Sequence, residues 1–302
     1  MTTQGTPAIC TNRLGKRYGS YWALQDCSVS VPPGHIAALV GPNGAGKTTL
    51  LKILTGLSAP SAGEAAVLGR APQQSEEFLA SIGYLAQDVP LYKRLSAADH
   101  LDMGAHLNRH WDAAGARARL TALGIPSERP VAKLSGGQQA QVALGLALAK
   151  RPQVLLLDEP MPALDPLARR EFLSSLAEAV AGEGLSVVVS SHLLHDLERV
   201  CDYLVLLLDS RPRLCGAIDD VLASHQVLVG PRRDLTAIPP GLQVIQATQT
   251  ARQTRLLVHL ESSVLDPSWA VTEPGLEDIV LAYMRQASEP AAGPLTQIGA
   301  GL

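Results

Sequence analysis

The stretch Gly41-Pro42-Asn43-Gly44-Ala45-Gly46-Lys47-Thr48-Thr49 decides how the rest of the sequence is interpreted. It fits the spacing G-x-x-x-x-G-K-[ST], in which glycines let the backbone wrap round a phosphate chain with its N–H groups pointing inward. The apolar run before it, residues 35–40, predicts a buried strand, and residues 50–54 predict the first turns of a helix. Because a helix N-terminus favours anions, the context indicates a phosphate-binding loop rather than a glycine-rich turn without a ligand.

Composition sets the class of protein. With 302 residues, 46% of them hydrophobic and 18% charged, the chain can bury a sizeable core, and one large α/β domain with a small appendage is expected. The net charge of −3 does not indicate the basic surface that nucleic-acid binding requires. The four cysteines lack C-x-x-C spacing, which favours reduced thiols in a cytosol over a zinc site. The first 13 residues lack a signal core and the longest apolar runs are short, so no membrane-spanning segment is expected.

Two acids follow a second predicted buried strand, residues 154–157. Asp158 is suited to hold Mg²⁺, mostly through water, and Glu159 to orient or deprotonate a water that attacks a γ-phosphate. The alternative, a cap for the next helix, is weakened by the prolines in the following turn. A further strand, residues 186–190, ends near His192, which we expect at the same sheet edge, within reach of the γ-phosphate.

Three other stretches have an open interpretation from the residues alone. Leu134-Ser135-Gly136-Gly137-Gln138, before an apolar helix at 142–149, is either an anion site or a plain helix cap. Gln87 follows a predicted strand at 81–86, where α/β sheets carry ligand groups. Tyr18 can stack on adenine, although core packing of Tyr18, Tyr21 or Trp22 is the better expectation before any family is considered.

Taken together, these motifs resemble the ATP-binding cassette (ABC) ATPases in their order and approximate spacing, over roughly residues 7–222. The resemblance implies an α/β fold: a P-loop NTPase core with an antiparallel β subdomain and a helical signature subdomain at about 88–150. It places the nucleotide-binding domain at 1–222. It also implies ATP hydrolysis, with ATP and Mg²⁺ bound between two cassettes arranged head to tail. One phosphate loop and one signature per chain then favour a homodimer with two sites.

The resemblance carries roles over to matching positions. Tyr18 resembles the adenine-stacking aromatic, 134–138 the signature that binds the γ-phosphate of the other cassette, and Ala163-Leu164-Asp165 the D-loop. It implies catalytic roles for Glu159, His192, Gln87 and Lys47, and magnesium contacts for Thr48, Gln87 and Asp158. The residues it implies for nucleotide binding are Tyr18, Gly41, Pro42, Asn43, Gly44, Ala45, Gly46, Lys47, Thr48, Thr49, Ser135, Gly136, Gly137, Gln138 and Asp165.

Two positions depart from the family pattern. Pro162 stands where the D-loop usually has a serine, so an N–H and a hydroxyl are missing and communication between the two sites is in doubt. Gln141 stands where a basic residue is common. Neither change removes a group that the chemistry requires.

The end of the chain points to a transporter subtype. Short strands are predicted at 226–229, 242–247 and 255–260, with a turn at 239–241 and a helix at 276–284. This ending resembles the L-E-D-x-x-L close of cassettes that serve bacterial ABC-2-type exporters, and implies a small α+β accessory module at 223–286 and a flexible tail at 287–302. Export of a drug-, antibiotic- or lipid-like substrate is then expected. The alternatives are an importer ATPase and a non-transport ABC ATPase, which usually carries a second cassette, a coiled-coil insertion or zinc cysteines.

The resemblance also implies a membrane-spanning permease as partner, and therefore a location on the cytoplasmic face of the cell membrane. Val89, Leu91 and Tyr92 follow Gln87 in an apolar cluster flanked by basic residues. They are expected either to line a groove that receives a short helix of the permease or to pack in the chain's own core. No nucleic-acid partner is expected.

Overall fold

A computed structural model describes residues 6–161, 164–191, 194–232, 242–260 and 268–288. The chain divides into two compact units, Met1–Ile218 and Asp219–Leu302. Within the described ranges, no helix is both long and apolar enough to cross a bilayer.

The described residues of the first unit form ten strands and most of the helices. Its strands are β1 (Ile9–Tyr18), β2 (Tyr21–Cys27), β3 (Ser30–Val31), β4 (Ile36–Val40), β5 (Ala62–Val67), β6 (Ile82–Leu85), β7 (Val154–Asp158), β8 (Ser186–Ser191), β9 (Tyr203–Leu208) and β10 (Arg211–Ala217). Its helices are α1 (Lys47–Leu54), α2 (Glu76–Ala80), α3 (Ala97–Leu107), α4 (Ala113–Ala122), a 3₁₀ turn (Val131–Lys133), α5 (Gly136–Ala149), α6 (Pro166–Glu183) and α7 (Leu194–Leu197), with α8 (Ile218–Ala223) at the boundary.

Two sheets organise this unit. The antiparallel sheet has β1 at its centre, paired with β2, β3 and β5, and it forms the antiparallel β subdomain that the family resemblance implies. The larger sheet has the order β10-β9-β4-β8-β7-β6, in which only β10 is antiparallel to its neighbour. The buried faces of the two sheets and of α1 share one apolar core. The continuous burial of β4, β7 and β8 is typical of parallel strands covered on both faces.

Parallel order brings the predicted site residues to one edge. Because β4, β6, β7 and β8 all run in the same direction, their carboxyl ends lie side by side. The phosphate loop follows β4, Gln87 follows β6, and Asp158 closes β7. The fold class predicted from the sequence, including the antiparallel and helical subdomains, is confirmed.

The helical subdomain has its own apolar core. Residues at helical spacing on α3, α4 and α5 are buried against one another: Ala97, Leu101, Ala116, Leu120, Val142 and Ala149. Ser96 caps α3 through a capping box with Asp99. The helical subdomain, with its own packed core, therefore carries both α5 and the two residues that precede it, Leu134 and Ser135.

In the second unit, the residues that the structure describes form an antiparallel sheet and one long helix. Its elements are β11 (His225–Pro231), β12 (Leu242–Gln249), β13 (Gln253–Leu260), β14 (Ala270–Thr272) and α9 (Leu276–Ser288). The sheet order is β12-β13-β11-β14. These elements confirm the predicted strands and helix, while the predicted turn at 239–241 lies outside the described residues. The α9 side chains at positions 276, 279 and 280 are buried, as the spacing of an amphipathic helix requires.

A buried histidine joins this sheet to α9. The Nδ1–H of His225 donates to the Val221 carbonyl at 2.7 Å, and Nε2 lies 3.1 Å from the Tyr283 hydroxyl. Burial lowers the pKa of His225 below its ordinary value, and the nearby His259 lowers it further.

Candidate active site

The phosphate loop needs glycine at two of its positions for steric reasons. A side chain on Gly41 would overlap the carbonyl oxygen of Leu207, so only glycine allows this close approach. Gly46 has a φ of 103°, and a side chain there would overlap the carbonyl oxygen of Ala23. Glycine is therefore required at positions 41 and 46 because the loop packs closely against the neighbouring backbone.

Helix α1 opens directly from this loop. Its N-cap, Gly46, has no side chain to satisfy the first N–H groups, and the Leu50 N–H makes the first bond into the helix, to the Gly46 carbonyl. Helix geometry leaves the N–H groups before Leu50 without an acceptor inside the helix. These donors and the helix dipole form a site for phosphate oxygens.

Lys47 is buried at the base of the loop. Its side chain is 6% exposed, and Nζ donates to the carbonyls of Gly41 at 2.8 Å and Pro42 at 3.2 Å. The same Nζ lies 3.2 Å from Glu159 Oε1, and that carboxylate is only 12% exposed. The loop lysine and the second strand-end acid, 112 positions apart in the chain, therefore form a largely buried ion pair.

Asp158 is the centre of a hydroxyl network. It is 1% exposed, and its Oδ1 accepts hydrogen bonds from Thr48 Oγ1 at 3.1 Å and Ser190 Oγ at 2.9 Å. The Glu159 N–H donates to the same Ser190 Oγ at 2.8 Å. The sequence interpretation missed Ser190. Its signal was the adjacency of β7 and β8, which sets Asp158 opposite Ser190.

Tyr84 is a second residue that sequence reasoning missed. Burial, with a further contribution from the negative charge of Asp158, raises the pKa of Tyr84 to about 12. Its hydroxyl has no hydrogen-bond partner within the described residues. Tyr84 therefore stays protonated as a neutral donor near Asp158.

The oxygen groups at this edge fit a magnesium ion. The Thr48 hydroxyl and the Asp158 carboxylate lie within 3.1 Å of each other, and Mg²⁺ prefers hard oxygen ligands with several waters retained. Gln87 is exposed in the turn after β6, and within the described contacts no hydrogen bond joins it to Thr48 or Asp158. Its predicted role as a magnesium contact stays a prediction.

The signature residues form a helix cap in the structure. Ser135 is the N-cap of α5: its Oγ accepts from the Gln138 N–H at 3.2 Å, and the Gln138 side chain accepts from the Ser135 N–H at 3.1 Å. A side chain on Gly137 would come within 2.8 Å of Ala168 Cβ on α6. The capping interpretation is confirmed. It leaves the anion interpretation open, because Ser135 is exposed and its hydroxyl hydrogen can still be donated outward.

Two tyrosines beside the phosphate loop are exposed. Tyr18 and Tyr21 face each other across the β1–β2 hairpin, and both have more than half of their surface accessible. The expectation of core packing is therefore wrong for both, because the hairpin end projects beyond the core. Tyr21 donates to the Gly44 carbonyl at 3.3 Å, and Lys16 Nζ lies 5.1 Å from the Tyr18 ring centroid. An exposed ring at Tyr18 is available for stacking on a base.

Of the remaining positions singled out in the sequence, two are described by the structure and three are not. Asp165 is exposed and caps α6 by accepting from the Ala168 N–H at 2.9 Å, and Gln141 is buried, with Nε2 3.4 Å from Ser175 Oγ. His192, Pro162 and Ala163 lie outside the described residues.

The apolar cluster after Gln87 is only partly buried. Tyr92 is 63% exposed, so core packing is wrong for this residue, while Val89 and Leu91 are half-buried. Leu91 packs against the helical core. The ring of His100 stacks on Tyr92, and its Nε2 accepts from the Tyr92 N–H at 3.0 Å. The segment is thus fixed on the helical subdomain with Tyr92 facing outward.

Comparison with known proteins identifies the family. A family model described as ABC transporter matches residues 24–162. The lantibiotic transport ATP-binding protein SrtF of Streptococcus pyogenes is 33% identical over 226 residues, covering 73% of this chain and 97% of SrtF. This chain is an ABC transporter ATP-binding protein. As a member of this family it binds and hydrolyses ATP.

Other relatives and solved structures agree on the family and differ in the direction of transport. The molybdenum import ATP-binding protein ModC of Rhodobacter capsulatus is 34% identical over 238 residues, covering 77% of this chain and 65% of ModC. A solved ATP-binding subunit of an ABC transporter superposes with a TM-score of 0.63 at 29% identity, covering 72% of this ABC protein and 92% of that chain. The matches share the ABC family, and several of them are named for import.

Proposed function

We propose that this ATPase powers the export of a drug-, antibiotic- or lipid-like substrate through a separate membrane-spanning permease. The observation that carries the ATPase chemistry is the buried cluster of Lys47, Asp158 and Glu159 beneath the phosphate loop. The export direction is supported by the L-E-D-x-x-L ending and by the similarity to SrtF, which is named for lantibiotic transport. The module at 223–286 is proposed as an accessory unit of such exporters.

In the proposed mechanism, the phosphate chain enters the loop and competes for Lys47. The ammonium group then turns from Glu159 to the β- and γ-phosphates, which frees the carboxylate. Glu159 accepts a proton from the attacking water. Thr48 and Asp158 would hold Mg²⁺, with Gln87 beside them, and the ion supplies neutralisation of phosphate charge. His192 is assigned to the γ-phosphate, and Tyr18 to the adenine ring.

The second half of each site is proposed to come from another copy of the chain. The signature residues, 135–138, and Asp165 would face the phosphate loop of that copy in a head-to-tail dimer. The exposure of Ser135 and the cap geometry of α5 support this assignment, because the hydroxyl and the helix N-terminus are both open to an incoming γ-phosphate.

The segment at 88–96 is proposed as the contact with the permease, through Val89, Leu91 and Tyr92. The exposure of Tyr92 supports this, since a solvent-facing aromatic on a fixed segment is suited to an apolar partner. The chain would then lie at the cytoplasmic face of the membrane, held there by its partner.

Import is the second candidate function, because ModC and the sulfate/thiosulfate import protein CysA of Synechocystis, 32% identical over 221 residues, share the same cassette. Affinity capture of the tagged full chain from its native membrane separates the two candidates. Export predicts a membrane-spanning chain without a solute-binding protein. An accompanying solute-binding protein would favour import, and capture of no membrane chain would contradict a transport role.

A further inference from the structure

Ser190 occupies an unusual position between the two strand-end acids. It is completely buried in β8, opposite Asp158 of the neighbouring strand. Its Oγ donates to Asp158 Oδ1 at 2.9 Å and accepts from the Glu159 N–H at 2.8 Å. The Ser190 hydroxyl therefore donates its single hydrogen to the Asp158 carboxylate and accepts, through a lone pair, the backbone N–H of Glu159.

The first contact fixes how the Asp158 carboxylate is turned. Oδ1 receives hydroxyl donors from two sides, Ser190 in the sheet and Thr48 on α1. With Oδ1 occupied in this way, the carboxylate is held in one rotation about its χ2 angle, which is otherwise broad. Asp158 would then present its carboxylate to Mg²⁺ in a single orientation.

The second contact fixes the backbone at Glu159. This residue has a φ of 44°, in the left-handed region that residues with a Cβ rarely adopt. Such conformations persist where surrounding structure determines them. The bond from the Glu159 N–H to Ser190 supplies that determination, and it turns the chain sharply after β7 so that the side chain reaches Lys47.

We infer that Ser190 is a positioning residue that sets the Asp158 carboxylate for magnesium and the Glu159 carboxylate for the attacking water. The inference rests on the proposed roles of Asp158 and Glu159. A purely structural role would be to satisfy a buried backbone N–H, as another buried serine of the same strand does. Ser186 accepts from the Gly34 N–H at 2.9 Å at the opposite end of β8, away from the site edge. It offers a matched control.

The test compares Ser190→Ala with Ser186→Ala in the full-length chain. The dissociation constant of a non-hydrolysable ATP analogue is measured with Mg²⁺ and with EDTA, and the ATPase rate is measured against Mg²⁺ concentration. Supporting groups around a metal site commonly contribute about 10–100-fold. For Ser190→Ala we expect the EDTA-to-Mg²⁺ ratio of dissociation constants and kcat each to fall by about 10-fold or more. Binding in EDTA should stay within about twofold of wild type, because the loop N–H groups are untouched.

Ser186→Ala is expected to leave the metal ratio unchanged. Ser190→Cys, which retains size and a weak donor, serves if the alanine variant does not fold, and should fall between wild type and alanine. Asp158→Asn and Glu159→Gln are measured in parallel. If these two impair magnesium dependence and turnover while folded Ser190 variants match wild type within about twofold, the role of Ser190 is refuted. If neither Asp158→Asn nor Glu159→Gln has an effect, the proposed function of the site itself fails.

Discussion

Replacing Glu159 by glutamine should stop turnover and spare ATP binding. The amide matches the carboxylate in shape, and the Glu159 N–H bond to Ser190 is a backbone bond that the substitution retains. Only the charge and the ability to accept a proton are lost. General-base contributions are typically about 10²–10⁴-fold, which is roughly 2.7–5.4 kcal/mol of transition-state stabilisation.

The same substitution removes the ion pair with Lys47, and its cost in stability should be moderate. Lys47 Nζ keeps its two carbonyl acceptors, on Gly41 and Pro42, so the ammonium is not left unsatisfied. The loss of one charged hydrogen bond amounts to about 1.5–3 kcal/mol, and about 2–4 °C in Tm per kcal/mol is expected for a domain of this size. ATP should bind at least as tightly as in wild type, because the carboxylate no longer competes for Lys47.

The assay is steady-state phosphate release together with equilibrium ATP binding and thermal unfolding. Glu171→Gln, an exposed acid on α6, is the matched control and should behave as wild type. Turnover by Glu159→Gln within about tenfold of wild type (~1.4 kcal/mol) would show that Glu159 does not handle the attacking water.

Three further predictions follow from the geometry. Gly44→Ala should lower the free energy of unfolding by about 1 kcal/mol, because only the left-handed φ of Gly44 opposes a side chain. Gly46→Ala should lower it by more than about 3 kcal/mol, because the new side chain overlaps the carbonyl oxygen of Ala23. Equal urea midpoints for the two variants would contradict this. Tyr92→Asp should leave the thermal midpoint within about 2 °C of wild type and abolish capture of the permease, because Tyr92 is exposed. Leu91→Asp should abolish capture and also lower the midpoint, because Leu91 packs against the helical core. Normal capture by Tyr92→Asp would place the permease contact elsewhere. Because the folded pKa of His225 is depressed, its contribution to stability is present above the unfolded value of about 6.5 and is lost as pH falls through the folded pKa. The protection factors of the β11 amides, which correct for the intrinsic pH dependence of exchange, should therefore fall on acidification, and His225→Asn should weaken that dependence.

The chemistry of the site was largely predictable because it depends on strand ends. A strand-loop-helix motif and a strand ending in two acids specify where Lys47 and Glu159 lie once parallel order is assumed, and the structure joins them at 3.2 Å. Placing residues at the ends of parallel strands requires no knowledge of side-chain packing. This placement holds because the carboxyl ends of parallel strands share one edge.

What the sequence could not predict depends on neighbours that are distant in the chain. Ser190 becomes visible only when β8 is known to lie beside β7 with Asp158 opposite it. Tyr18 and Tyr21 were expected in the core and are exposed. The alternation of apolar and polar residues predicts which face of a strand is buried, but it does not predict how far the end of the hairpin extends beyond the core. Strand order and the limits of the core are tertiary properties, which local patterns do not contain.

Complementation between two defective chains tests most directly whether ATP is hydrolysed between two copies. Lys47→Ala removes the phosphate lysine and Ser135→Arg blocks the signature, so each homodimer should be inactive. In a head-to-tail mixed dimer, one site carries both lesions and the other carries neither. An equal mixture should recover about a quarter of wild-type ATPase activity, since about half of the dimers are mixed and each retains one of two sites. No recovery, with mixed dimers demonstrated by differential tags, would contradict a site shared between Lys47 of one copy and Ser135 of the other.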